Sequence, residues 1–386
     1  MVATTPHDPR AALTTAAQAA LAHVAARARA TGAEAEVAAW IARAGEPAAT
    51  VERVVAGLWQ KARIALHFHP DRLLADGTSV AEGLLATGRY RSQFETHISN
   101  GSRTAFPGGE RELWEARLFG GAYDASGPEA RPRYGALHAL GHADGPAPRF
   151  GSCYLVLAPE VAERCTFAWG DSHTGPEHVG TRAHFAPVLA AWLACAATTG
   201  AALGVELDLA SFVRALASEA QAPAAPERGR LGRALDDYVE AEVHGDVELA
   251  RDATALVVDP SFDGTPTGRT LEAVAARSQL GLHRHPGFVL APDDVPDDFR
   301  GPRMPALAAR VAAGFASTPG ELDAATIGRA AASLEREPGA WADWGSYEQT
   351  LQHLKQLWHV VVRFGRARTE AYGPFPCAAP QPRLRP

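Results

Sequence analysis

The sequence predicts an α+β fold on three observations: apolar residues at helical spacing through an Ala-rich opening, short alternating runs bounded by Gly, Pro and Asp in the middle, and helical spacing again toward the end. In residues 11–62, Leu21, Val24 and Ala25, then Val37, Trp40 and Ile41, fall three or four apart, with breaks near Gly32 and at Gly45 and Pro47. Residues 64–69 alternate as a strand that Pro70 ends, and residues 79–85 suit one short helix before Gly88. Strands are expected over 89–94, 134–140 and 150–157, with a helix over 110–118 between them. Helices follow over 186–199 and 209–222, then a loop over 220–230 and strands over 238–244 and 247–256. Three further helices are expected over 304–315, 325–334 and 347–364, ahead of a Pro-rich tail. The chain thus divides into a helical region at 1–62, a mixed core at 63–265 and a mainly helical region at 266–386.

Apolar residues make up 46% of the 386 and charged residues 21%, which suits a chain with a sizeable core and not a disordered one. A formal net charge of -7 argues against a protein that coats nucleic acid or anionic lipid, so neither partner is expected. The uncharged run 185–205 has the length of a membrane span, but Ala, Thr and Gly dominate it, which fits a buried helix better. Cys153, Cys165, Cys195 and Cys377 show no CxxC spacing and read as reduced thiols. The opening MVATTPHDPR has neither the basic start nor the apolar stretch of a secretory signal. A soluble monomer folded in a cytoplasm is the expectation. Of 37 basic residues 35 are Arg, leaving only Lys61 and Lys355, a bias that a GC-rich genome explains.

Four clusters could carry chemistry. His67 and His69 share one face of a strand, as the start of a metal site or as a hydrogen-bonded pair beside a loop. Residues 89–102 crowd Arg89, Arg91, Ser92, Gln93, Asn100 and Gly101 into one stretch, which suits a phosphate: Arg supplies a bidentate fork and the Asn-Gly-Ser turn offers backbone N–H groups. Around Arg133, Tyr134, Arg149 and Ser152, Gly151 permits close approach of a ligand to a strand backbone. A nucleophilic role for Ser152 is not implied, because GxSxG is absent and the Ser sits in a strand instead of an elbow. Finally, Glu240 and Glu242 at i and i+2 face the same way on a strand, where two carboxylates repel and call for a cation, a metal or a sugar hydroxyl.

Taken in order, the runs His-Phe-His-Pro-Asp-Arg at 67–72, Arg-Ser-Gln-Phe-Glu-Thr-His-Ile-Ser-Asn-Gly at 91–101, Arg-Pro-Arg-Tyr-Gly-Ala-Leu at 131–137, Phe-Gly-Ser-Cys-Tyr at 150–154, Trp-Gly-Asp-Ser at 169–172 and Tyr-Val-Glu-Ala-Glu-Val-His-Gly at 238–245 resemble one family. It is a bacterial effector family of ubiquitin-threonine ADP-ribosyltransferases, and the resemblance spans about 63–265. It implies an ADP-ribosyltransferase-like core in which two small β-sheets form a cleft for NAD, the substrate. It implies ubiquitin as partner and delivery to a host cytosol, where a modified threonine blocks ubiquitin use. The family's late Glu, which hydrogen-bonds the nicotinamide ribose, falls on Glu240 or Glu242; Glu240 is preferred because it holds the Tyr-x-Glu position, and Glu242 then orients the acceptor hydroxyl. The resemblance assigns Arg72, Arg91, His69, Asn100, Gly101, Ser152 and Tyr134 to NAD. Arg72 and Arg91 are preferred to His67 and His69 for the grip on the dinucleotide, and Asn100 and Gly101 shape the adenosine side. A Ser-Thr-Ser signature is replaced by Phe150, Gly151, Ser152 and Cys153.

Two other readings stand beside this one. A metal-dependent hydrolase would build on His67 and His69 with a distant His and Asp171 or Glu240, and would carry stoichiometric metal. A non-catalytic module would bind a host protein through its Arg-rich face and helices; Trp341, Trp344, Tyr347 and Trp358 could supply such a surface, although aromatics of this kind usually serve the core.

Overall fold

The computed structural model describes residues 13–98, 104–218 and 235–368. Three helices open the chain: α1 (Thr15–Ala30), capped by Thr14, α2 (Ala33–Arg43), entered through the left-handed Gly32, and α3 (Thr50–Lys61). Strand β1 (Arg63–Phe68) follows directly. The turn after it leads to α4 (Val80–Thr87), where Ser79 and Glu82 form a capping box and Gly88 ends the helix in the left-handed region. Next come β2 (Arg89–Tyr90), α5 (Gln93–Thr96), α6 (Glu110–Phe119), β3 (Arg133–His138), β4 (Cys153–Leu157), β5 (Cys165–Trp169) and β6 (Val179–Thr181). The uncharged run becomes α7 (Ala186–Thr199), a buried helix, and leads through β7 (Ala201–Ala202) and β8 (Val205–Glu206) to α8 (Leu209–Ala217). The chain then forms β9 (Val239–Val243), β10 (Val247–Glu248), α9 (Leu249–Asp252), β11 (Ala253–Val258), α10 (Pro266–Ser278) and β12 (Gly281–Arg284). Helices α11 (Met304–Phe315), α12 (Ala324–Arg336) and α13 (Tyr347–Phe364) complete it.

Eight strands form one sheet in the order β12-β11-β4-β1-β3-β9-β5-β6, with two-stranded ribbons β10-β2 and β7-β8 beside it. Every pairing is antiparallel except β11 with β12. The two small sheets expected from the sequence are joined, because β9 uses both its edges, pairing β3 on one side and β5 on the other. The protein is therefore a mixed α/β molecule built on one large sheet. The expected boundary at 265 falls just before α10, and the outer strand β12 lies beyond it. No described helix is long and apolar enough to cross a membrane.

Alternation along the strands divides the sheet into two unlike faces. Ile64, Leu66, Phe68, Leu155, Phe167, Val239, Ala241, Val243 and Leu256 point to one side and join the main core, where α2 packs on α7 and α3 on α8. Glu240 stands beside Ala136 and Ala168, and Glu242 beside Tyr134 and Thr166, on the other side. His67 shares that face with Tyr154, its pairing partner. One end of it is covered by α1 and α6, through Ala20, Val24, Leu118 and Phe119. The small residues Ala65 and Ala136 leave space above the middle.

Three expectations change in detail. The strand over 89–94 stops at Tyr90, because Ser92 and Glu95 form a capping box that turns residues 93–96 into a helical turn. The strand over 150–157 begins only at Cys153, since Pro148 opens a tight helical turn ahead of it. The strand over 247–256 is interrupted by α9. Helix α10, with Thr265 as its cap and Pro266 at its first position, was not expected, although both are start signals. The expected loop at 220–230 and the Pro-rich tail lie outside the described residues. Trp341 and Trp358 are buried in the core.

Gly151 does permit a close approach, by another backbone and not by a ligand. A Cβ there would lie 2.3 Å from the carbonyl carbon of Phe68 and 2.4 Å from its nitrogen. Gly151→Ala should therefore destabilise the fold by about 1–3 kcal/mol through overpacking, lowering Tm in a thermal melt; an unchanged Tm would show that the contact yields freely.

Candidate active site

The polar face opens into a cavity of about 340 Å³, a size at which small-molecule sites begin. Glu240 lies against it on the central strand β9 and is only 6% exposed. Its Oε2 accepts the backbone N–H of Ser172 at 2.6 Å, and its Oε1 accepts the Ser172 hydroxyl at 3.2 Å. Ser172 is delivered by the turn after β5, in which Gly170 adopts a positive φ of 86°. Burial, reinforced by Asp171 and Glu242, raises the Glu240 carboxyl well above the usual carboxylate range, and the Ser172 N–H works against that rise.

Glu242 is fully buried beside it. It takes part in a chain of hydrogen bonds: Thr166 donates to Glu242 Oε2 at 2.6 Å, His244 Nε2 lies 3.0 Å from the same hydroxyl, and the Tyr123 hydroxyl lies 2.6 Å from His244 Nδ1. Burial pushes His244 down to about 3, so the imidazole is neutral. Burial also pushes the Glu242 carboxyl up to about 8 against the Thr166 hydrogen bond.

Helix α6 supplies the next wall. The Arg111 guanidinium lies between two aromatic rings, 4.7 Å from the Trp114 centroid and 4.5 Å from that of Tyr134. The Tyr134 hydroxyl donates to Glu115 at 2.8 Å, and the buried Glu115 also pairs with Arg131 at 2.9 Å. Arg91 enters from the β2–α5 turn and passes close to Gly83, where a Cβ would lie 2.8 Å from its Nη2. Gln93 Oε1, in the same wall, is shielded from solvent without a hydrogen-bond partner. Arg149 reaches the cavity over the ring of Phe150 and pairs with Asp236. In all, seven Arg or Lys residues line the cavity against three carboxylates, although the chain as a whole is acidic. Arg89 and Arg133 share Asp246, at 2.6 and 3.0 Å, and Arg133 also pairs with Glu95 at 3.3 Å.

The fold therefore brings together Glu240, His69, Arg72, Arg91 and Tyr134, all expected, around one cavity, with His67 alongside. Two expected residues fall elsewhere. Glu242 does not line the cavity, because its side chain is consumed by Thr166 behind Glu240. Ser152 also lies outside it, and its carbonyl meets His285 Nε2 at 2.7 Å. Asn100 and Gly101 lie outside the described residues. Arg111, Trp114 and Lys355 were not singled out for the site, and Arg149 had no assigned role. Arg111 and Trp114 stand three apart on one helix, a spacing that places them on one face, but nothing in the sequence says which face meets the cleft.

His67, on β1, resolves as a histidine hydrogen-bonded to the loop beside it. Its Nδ1 lies 3.0 Å from the Gly151 carbonyl and its Nε2 accepts from Ala147 N–H at 3.4 Å, while burial lowers its pKa to about 4. His69 meets Trp358 edge-on at 5.3 Å, and burial lowers it to about 3. Among the described residues no three His, Cys, Asp or Glu side chains converge as a metal ion requires.

The described residues thus form a mixed α/β protein with a cavity on one face of its large sheet, a buried carboxyl in the cavity wall and a surplus of cations around it. The chain belongs to the family described as a protein of unknown function, DUF3626, whose model matches residues 63–364. The match begins where β1 begins and runs to the end of α13. No curated protein matches the chain.

The Glu242 carboxyl keeps its proton in the folded state at pH values where the unfolded chain, with its carboxyl near 4.5, has lost it. Stability should therefore fall as pH rises from about 4.5 toward 8. Glu242→Gln removes that cost: its Tm should exceed the parent's by a few degrees above pH 8 and by little near pH 4.5. A difference independent of pH would show that the carboxyl does not titrate as described.

Proposed function

We propose that the cavity binds NAD and that the protein is a mono-ADP-ribosyltransferase acting on a protein hydroxyl, with a ubiquitin threonine as the acceptor that the family resemblance implies. The observation that carries this reading is Glu240: one carboxyl, oriented by Ser172, set at the wall of a cavity rich in cations and aromatic rings. The residues suit the dinucleotide. Arg72 and Arg91 are placed to meet a diphosphate, Tyr134 and Trp114 offer ring faces, and Gln93 Oε1 has an unmet acceptor. The reading includes an ADP-ribosyltransferase-like core, with the cleft on one face of the eight-stranded sheet instead of between two separate sheets.

NAD supplies the ADP-ribosyl group, so transfer exchanges an N-glycosidic bond for an O-glycosidic bond and releases nicotinamide and one proton. Glu240 acts by accepting a hydrogen bond from the ribose and by placing negative charge beside the carbon from which nicotinamide departs. A cationic ligand ring favours the ionised carboxyl, and the Ser172 N–H holds it in place. Glu242 supports β9 from behind through Thr166 and takes no part in orienting the acceptor.

The test incubates the protein with NAD and ubiquitin and reads the intact mass of ubiquitin. A gain of one ADP-ribose is expected, and Glu240→Gln should reduce its rate by at least about a hundredfold while leaving NAD affinity little changed, because the lost interaction belongs to the transition state. Free nicotinamide with unmodified ubiquitin would retain the NAD chemistry and reject the acceptor. Unchanged turnover in Glu240→Gln would reject the role given to Glu240.

A further inference from the structure

The last helix sends one cation into the cleft. Lys355, on α13, is half-buried and lines the same cavity as Glu240. Its ammonium has no hydrogen bond or ion pair with any described residue. The position is built and not incidental: three residues further on, the Trp358 indole N–H donates to the Pro148 carbonyl at 2.9 Å, and its ring packs on His69 and Phe288. Helix α13 is thereby pinned against the turn that carries Arg149.

The surroundings of Lys355 are short of negative charge. Burial first, then Arg149, Arg111 and Arg300, lower its pKa to about 8, with Asp171 acting in the opposite sense. Asp171 is shared, since His173 Nδ1 lies 2.7 Å from it and Arg149 4.0 Å. His359, one turn along the helix, is buried with neither ring nitrogen hydrogen-bonded and is held neutral by burial and the same cations, so it offers no counter-charge. A cation held among cations, facing an open cavity, is stabilised by an anion that enters it.

Composition adds a second argument. In a chain with 35 Arg, the other lysine, Lys61, also holds a defined place: it donates to the carbonyls of Ala215 and Ser218 near the end of α8. Both lysines are thus at least partly withdrawn from solvent.

We propose that Lys355 forms a phosphate-binding subsite of the cleft, so that the C-terminal region is part of the ligand site. The identity of the ligand as a diphosphate-bearing nucleotide rests on the function proposed above, whereas the subsite requires only a phosphate. Lys355 then supplements Arg72 and Arg91, which approach from β1 and β2.

Calorimetric titration of the full chain with inorganic pyrophosphate and with ADP-ribose tests this. Lys355→Met should weaken both by about tenfold or more, as loss of a charge-assisted hydrogen bond does, and Lys355→Arg should restore part of the loss. Thermal melts verify folding, and Lys355→Gln carries the comparison if the Met variant melts early. Equal affinity of parent and Lys355→Met for pyrophosphate, or no binding of pyrophosphate by the parent, overturns the subsite. If ADP-ribose binds parent and variant equally, the nucleotide reading survives and the subsite falls. Lys355-dependent binding of pyrophosphate without binding of ADP-ribose or NAD keeps the subsite and rejects the nucleotide.

Discussion

Two carboxyl groups buried on a central strand are the constraint around which this molecule is arranged. Taking a carboxylate out of water costs several kcal/mol unless it is protonated or receives hydrogen bonds. Strand β9 lies between β3 and β5, so Glu240 and Glu242 cannot reach solvent past an edge. The two are treated differently. Glu242 is enclosed by Thr166, His244 and Tyr123, a neutral network that leaves it best protonated. Glu240 receives a backbone N–H and a hydroxyl from Ser172 and retains an opening onto the cavity. One strand thus carries a structural carboxyl and a chemically available one two residues apart.

The cations of the cleft follow from the same economy of charge. Arg131 and Arg133 are buried and held by Glu112, Glu115, Glu95 and Asp246, and they fix the edge of β3 to α6 and to the β10–β2 ribbon. Removing one partner from such a buried pair leaves an uncompensated charge, which makes these pairs sensitive joints even where their net contribution to stability is small. Arg111 is stacked between two rings, those of Trp114 and Tyr134. Lys355 comes from the most distant element in the chain, yet the Trp358 hydrogen bond seats its helix on the turn that precedes β4. The C-terminal helices are consequently not an appendage. Gly328 on α12 lies so close to Asp71 that a Cβ would meet its carboxylate at 1.6 Å, which ties the end of the fold to the loop bearing Arg72.

Much of this was legible in the sequence for local reasons. The helices over 186–199, 304–315 and 347–364 and the strand around Glu240 depend on periodicity and punctuation within a dozen residues, and the structure reproduces them closely. The strand expected over 89–94 gives way after Tyr90 to a helical turn, because Ser92 and Glu95 form a capping box that decides the local conformation. Gly151 was recognised as a place of close approach, but the partner, the Phe68 backbone, is 83 positions away and leaves no mark nearby.

Alternation alone placed Glu240 and Glu242 on one face, because the strand period is two and independent of context. It could not separate their roles, since Thr166 and Ser172 approach from β5 and from the turn after it, and their reach is set by the register of β5 on β9. The clustering of Arg72, Arg91, Arg111, Arg149 and Lys355 is likewise a product of packing. Electrostatic surplus in a cleft is a sum over residues distant in sequence, and a chain with net charge -7 gives no hint that seven of its cations line one cavity. Local propensity and strand period are written residue by residue; the proximity of Lys355 to Glu240 exists only once α13 has packed against the turn at Pro148.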